Sequence, residues 1–352
     1  MMRLWRWLRR LALALVLLIL GLLSPVAYVE LACRGAPVED GYAPLIADPA
    51  WQRNESRTYT TYPEWHIVYA YEDYAEVLKR GDPQDFGYLR AITGFWSAAC
   101  PLARTAAAHG GFDTRSKQSI YTIGVSFTLE MLMKAAYEET LGRGATWIRG
   151  PERSALDHVS ARQAGLYSRF LHQVPWYKWD FRNSARELTA TPARGFRDHE
   201  RRLALGLEYR AKAVYAGLIE RAVQEVGADQ LRMRSIVAGL PPETLAALPQ
   251  VAVIAERPEG VEIETPRYEA FNRLAIRIAD AGGDFVEIAG NDQIMVTVLG
   301  SGAAPVGRLI HSARRQGFGD SRQLLELPVP ELAGAIRTLA SGPLRLEHVY
   351  DY

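Results

Sequence analysis

The sequence predicts one transmembrane helix, then a mainly α-helical domain, then an α+β domain. Three observations carry this: an arginine-flanked apolar run at the start, apolar residues at helical spacing from about Tyr62 to Val226, and a switch to period two from about residue 231. The predicted divisions are 1–30 for a basic tip and anchor, 31–60 for a connector, 61–230 for the helical domain and 231–352 for the α+β domain. Forty-one Lys plus Arg against 40 Asp plus Glu leave a formal charge of +1, so no field recruits nucleic acid. Hydrophobic residues at 48% and charged residues at 23% describe a folded chain rather than a low-complexity one. No internal repeat is visible.

Arg3, Arg6, Arg9 and Arg10 precede an unbroken apolar run from Leu11 to Leu23, which reaches spanning length if extended to Val29. Arg34, Glu39 and Asp40 follow it. The charge bias puts the amino terminus in the cytoplasm and the body outside, in the periplasm of a bacterium with two membranes. Pro25-Val26-Ala27 sets a proline where a signal peptidase needs small residues, which favours a retained inner-membrane anchor. Cys33 and Cys100 are the only cysteines. In an oxidising space they either bridge, pinning the helical domain to its anchor, or stay as unrelated buried thiols.

After the connector GAPVEDGYAPLIADPAW, Pro63 and Glu64 suit the first turn of a helix that carries Trp65, Val68, Tyr71, Ala75 and Leu78 inward and stops at Gly81-Asp82-Pro83. A second helix over Ser119–Leu141 is apolar all round and reads as buried; Glu130 and Lys134 at its middle argue against a second span. Helical runs follow at 152–173 and 196–227, the latter with Leu203, Leu207, Ala211, Val214 and Leu218 as its inward stripe. Beyond residue 231 come short β-type runs, with Gly290-Asn291-Asp292 as a hairpin turn and Thr265-Pro266 opening a helix. From 250 the order strand, helix, strand, strand, strand, helix, strand is similar to a ferredoxin-like sandwich with an extra strand or insertion around 301–327. That architecture implies no activity.

Motifs that would name a chemistry are missing. The residues three before the seven histidines are Pro63, Ala106, Ala155, Arg169, Phe196, Arg308 and Arg345, so no Glu-x-x-His pair offers di-iron ligands. There is no His-Glu-x-x-His and no Walker loop, and Ser126 lacks the glycines of a nucleophile elbow. No metal site or cofactor is predicted, though one assembled from scattered ligands stays open.

Three features carry the candidate acid–base residues. Glu64 and His66 stand beside Trp65 and Tyr69 near a helix start, where a carboxylate can tune an imidazole; the alternative is a capping acid and an interfacial histidine. Glu130 lies in the most apolar helix, as a proton-holding acid or as an i,i+4 partner of Lys134. Glu208 borders an apolar stripe, while Asp198-His199-Glu200 among arginines reads as a solvated helix start. Trp176, Tyr177, Trp179 and Phe181, interleaved with Lys178 and Arg182, fit either a headgroup zone or a core. The expected function is binding of a lipid-like ligand or a membrane partner. The alternatives are a redox or oxygen-dependent enzyme of fatty-acyl chains and a scaffold of an envelope complex.

Overall fold

The computed structural model describes residues 2–33, 35–226 and 231–351. Helix α1 (Met2–Ala32) includes the segment Trp5–Ala32, long and apolar enough to cross a membrane. At 1.5 Å per residue those 28 residues reach about 42 Å, against about 30 Å of hydrocarbon. The surplus is used. Leu22, Pro25, Val26, Val29, Glu30 and Cys33, at helical spacing, are the positions of α1 that lose exposure, and Val29 and Cys33 are buried in the bundle core. A disulfide joins Cys33 to Cys100, and Arg104 donates to the Ala32 carbonyl.

The bundle contains α2 (Ser56–Arg80), α3 (Tyr88–Ala107), α4 (Thr114–Tyr137), a π-helical turn at Glu138–Gly142, α5 (Arg143–Arg149), α6 (Ala155–Leu171), α7 (Phe181–Ala190) and α8 (Gly195–Val226). Helix α2 begins seven residues before Pro63, so the proline sits inside it rather than in its first turn. Contacts fix the helix directions. Cys33, at the end of α1, meets Cys100, and the chain beyond it follows α3, with Val38 donating to the Ala107 carbonyl. His66 meets Ala91 and Tyr74 meets Tyr88, so α2 runs against α3. Trp96 bonds Thr128, and Ala99 and Ile120 line one small cavity, so α4 also runs against α3. At that crossing a Cβ on Gly124 would stand 2.4 Å from the Phe95 ring, which is why the contact needs glycine.

The far side of the bundle is held by charge. Arg197 and Arg201, 2% and 0% exposed, are among its largest fully buried side chains. Arg201 forms a two-pronged pair with Glu138 at 2.9 and 3.1 Å and reaches Glu200 at 2.6 Å; Arg197 pairs with Asp157 and Glu200, each at 2.9 Å. Arg149 links Asp157 to Asp82, each at 2.7 Å. The π turn makes room for this, since a Cβ at Gly142 would fall 2.2 Å from Glu138 Oε2. Two expectations are corrected here. The Asp198-His199-Glu200 segment is not a solvated helix start: Asp198 is buried and accepts the backbone N–H groups of Leu156 and Arg194. Nor is the Leu203–Leu218 stripe inward, because Leu203, Leu207, Val214 and Leu218 are 57–66% exposed. The arginines claim the inner face of the first half of α8.

The C-terminal part has eight strands: β1 (Arg232–Ala238), β2 (Ala252–Arg257), β3 (Gly260–Pro266), β4 (Asp284–Ile288), β5 (Gln293–Gly300), β6 (Arg308–Arg314), β7 (Ser321–Pro328) and β8 (Arg345–Tyr350). Helices α9 (Pro242–Ala246), α10 (Glu269–Asp280) and α11 (Leu332–Ala340) lie between them. They make two four-stranded antiparallel sheets, ordered β2-β3-β1-β4 and β6-β7-β5-β8, rather than the single sheet expected. Gly290-Asn291-Asp292 therefore joins two sheets and is no hairpin turn. Thr265 and Pro266 end β3 instead of opening α10.

The sheets repeat one plan. Each places a helix between its third and fourth strands, and each has bulges at matching registers: between Ile236/Val237 and Thr297/Val298 on the first strands, and between Val253/Ala255 and Leu309/His311 on the second. This duplication is invisible in the sequence because the two copies face different neighbours. One shared core holds Val237, Ile263, Phe271, Val296, Leu325 and Ile336. On the opposite faces, residues 42–53 cross the first sheet, where the fully buried Glu287 accepts from Tyr42 Oη (2.7 Å) and the N–H groups of Leu45 (2.5 Å) and Ile46 (2.8 Å). Helix α2 crosses the second, with Tyr59 donating to Glu326 (2.5 Å) and Tyr69 meeting Tyr350 (3.0 Å).

Replacing Arg201 by Leu leaves Glu138 and Glu200 buried with too little compensation. We expect a loss of about 3–5 kcal/mol in denaturant melts. A double variant, Arg201→Leu with Glu138→Leu, is expected to recover part of it.

Candidate functional site

Of the four predicted acid–base residues, two meet. Glu130 on α4 and Glu208 on α8 share two lysines: Lys134 stands 2.9 Å from Glu208 and 3.9 Å from Glu130, and Lys212 stands 2.7 Å from Glu130 and 3.1 Å from Glu208. Tyr71 donates to Glu130 at 2.5 Å and accepts from Lys212 at 2.9 Å. Burial works against charge on both acids, but the ammonium groups outweigh it, holding Glu208 down at about 2 and Glu130 below its usual range. Two negative and two positive groups cancel. Such a quartet grips α4 against α8, and its two carboxylates hold no proton to give at neutral pH.

Glu64 and His66 contribute none of the bonds in that quartet. Glu64 is exposed on α2. His66 is wedged edge-on against Phe95 and Phe127, with Nε2 2.9 Å from the Ala91 carbonyl, which accepts its proton. Burial drives its pKa down to about 4, against the opposing pull of that carbonyl. His66 is thus a neutral donor within the core. The aromatic segment is likewise internal: Trp176 stacks on Tyr215, Trp179 meets Tyr167 and Phe170, and Phe181 is buried.

The structure assembles a different cluster where connector, bundle and second sheet meet. Asp40, Glu55 and His109 each bring one donor atom, and those atoms lie within 4.8 Å of one another. Asp40 comes from the connector, where Oδ1 accepts its own turn's Tyr42 N–H at 3.0 Å and Oδ2 stands 3.8 Å from His109 Nδ1. Glu55, just before α2, is 3% exposed; Oε1 accepts the Gln293 N–H at 2.8 Å, while Oε2 is buried without a hydrogen bond. His109 follows α3, stacks on Tyr59 and aims Nε2 at Glu326, 3.8 Å away. Burial first, then the nearby Asp292 and Asp40, raises Glu55 to about 8. A carboxyl with no cation beside it answers in that way.

No sequence signal marks this cluster. Its members lie far apart in the chain, two of them beside turns, and only the packing of three parts unites them. Among clefts, one open groove of about 270 Å³ is lined by Gly302, Ala304, Gly307, Leu309, Ser312 and Gln323. Another of about 10 Å³, between Val29, Pro63, Phe112 and Ile120, has room for about one water. Neither is an acyl-chain pocket. The chain matches no protein-family model, no curated protein and no solved structure.

Acid stability separates these environments. His66 stays neutral down to about 4 when folded but takes a proton near 6.5 when unfolded, so stability falls as pH drops from 6.5 to 4. Glu208 stays charged to about 2 when folded but protonates near 4.5 when unfolded, so a further loss follows from 4.5 to 2. Denaturant midpoints against pH should show each slope, at most about 1.4 kcal/mol per pH unit per proton. We expect His66→Gln to reduce the slope of the first window, leaving the part due to His348 and His311, and Glu208→Gln to reduce that of the second, leaving the part due to Asp157.

Proposed function

We propose that this is a single-pass inner-membrane protein, amino terminus cytoplasmic and body periplasmic, that acts as a binding partner or scaffold at the outer face of that membrane. The observation that carries this reading is the exposed apolar stripe of α8, considered together with the direction of that helix. Arg201 pairs with Glu138, Glu208 with Lys134 and Lys212 with Glu130, so α8 runs against α4. The bonds between α4 and α1 meet at Glu30; taking α4 to run against α1 from there, we place α8 rising away from the bilayer. Leu203, Leu207, Val214 and Leu218 then form a rail standing off the membrane, which a flat lipid surface cannot cover. Its natural occupant is an apolar helix of another protein anchored in the same bilayer.

The disulfide supports the periplasmic assignment, because such bonds persist in oxidising compartments, and the arginines before the apolar run support the orientation. The lipid-like ligand has weaker support, since the open groove is small and partly polar. An acyl-chain enzyme built on Glu64, His66, Glu130 and Glu208 has weaker support still, as two of those acids are neutralised by lysines and His66 is spent on Ala91. We also read each four-stranded unit as a ferredoxin-like half, on its strand order and the helix after its third strand.

Two measurements test the proposal. In intact cells, a thiol reagent that cannot cross the inner membrane should label Cys100, the partly exposed member of the pair, only after reduction; labelling only in cells whose inner membrane has been opened would place the body inside. Photo-crosslinkers at 203, 207, 214 and 218 should capture one and the same membrane protein, with none captured from Glu220. Adducts to phospholipid alone, or none at all, would remove the docking rail.

A further inference from the structure

We propose that Asp40, Glu55 and His109 bind one divalent transition-metal ion, of the class that includes zinc, at the meeting point of connector, bundle and second sheet. The claim is independent of the docking rail and of the orientation in the membrane. An imidazole with two carboxylates is a donor set that suits such ions, and two negative charges with a neutral ring balance a dication.

The cluster is more than a set of neighbouring acids. Each carboxylate has one oxygen committed to the backbone and the other left over: Asp40 Oδ1 takes the Tyr42 N–H, and Glu55 Oε1 takes the Gln293 N–H. The remaining Glu55 oxygen is buried in a side chain only 3% exposed, makes no regular hydrogen bond and faces the Asp40 carboxylate, an arrangement that costs free energy unless a proton or a metal cation meets it. His109 presents Nδ1 to Asp40 and Nε2 to Glu326. At 3.8 Å Glu326 is not hydrogen-bonded to the ring, but it stands where the outer carboxylate of a metal-ligating histidine would stand. Glu326 is itself steadied by Tyr59 and Arg308.

The spacing is compatible. Ligands about 2.1 Å from a tetrahedral ion lie about 3.4 Å apart. Donor atoms within 4.8 Å of one another therefore close on it with shifts of up to about 0.8 Å each. Three protein donors leave a position for water, as in open rather than sealed zinc sites. The ion would cross-link a connector that otherwise holds to the sheets through Glu287 and a few backbone bonds.

The test uses the untagged full-length chain in detergent, stripped with a chelator, with Zn²⁺ as titrant in calorimetry and Co²⁺ as a spectroscopic probe. We expect one saturable equivalent of Zn²⁺, and Co²⁺ absorption bands that Zn²⁺ abolishes. Asp40→Asn and His109→Ala should each weaken binding at least tenfold, and Glu326→Gln, which alters only the outer carboxylate, by about tenfold. Glu208→Gln should leave it unchanged. Asp40→Asn changes one partly exposed connector residue, so it serves if His109→Ala misfolds. Absence of saturable binding by the wild type would overturn the proposal, and so would wild-type affinity in a folded Asp40→Asn.

Discussion

The last two turns of the first helix are both the end of a segment long and apolar enough to cross a membrane and part of the bundle's core. Val29 and Cys33 are buried there, the Cys33–Cys100 bond closes the contact, and Tyr121 and Lys117 grip Glu30 from α4. The helix runs from apolar run to core with Pro25 inside it, where one bond of its ladder is missing. Its buried end fixes where the bundle begins: α3 meets it at Cys100 and α4 at Tyr121 and Lys117. Even the connector's path across the first sheet begins from where α1 ends.

Charge is used in three different ways across the molecule, and burial decides which. In the quartet of Glu130, Lys134, Glu208 and Lys212 the signs cancel, so the acids stay ionised and act as fasteners. Around Arg197 and Arg201 the guanidinium groups are wholly buried, each shared between two acids, and the helix ladder itself widens into a π turn to admit them. At Asp40, Glu55 and His109 no lysine or arginine pairs with the acids among the described bonds, and burial raises the Glu55 carboxyl. Matched groups build; the unmatched one is where chemistry is left over.

Much of this was legible in the sequence, and the failures have physical causes. The apolar run with its arginines gave the anchor, and the Cys33–Cys100 alternative of a bridge matches the bond in the structure. Long helices such as α6 and α8 lie within a few residues of their predicted bounds. The stripe of α8 was read inward because periodicity reports amphipathicity, not which face has a partner; Arg197 and Arg201 had already taken the inner side. β3 was missed because Val261-Glu262-Ile263-Glu264 alternates acid with aliphatic and ends in Thr-Pro, which reads as a helix start. Its glutamates are paired with Arg257, Arg234 and Arg232 on a covered face. The duplicated sheets escaped notice because one outer face meets a connector and the other a helix, so equivalent positions such as Glu287 and His348 carry unrelated residues. Glu55 and His109 gave no signal, since no local pattern brings them together.

A rigid passage from the apolar helix into the body underlies this arrangement. It is tested most directly by pulsed electron-spin distance measurement between labels at Leu15 and Met133, introduced as cysteines with the native disulfide intact, in a lipid nanodisc. The account predicts one narrow distance distribution that broadens when Val29 is replaced by Asp. A broad distribution in the otherwise unchanged chain would mean that the body hangs from a flexible tether, and the directions assigned to α4 and α8 would lose their foundation.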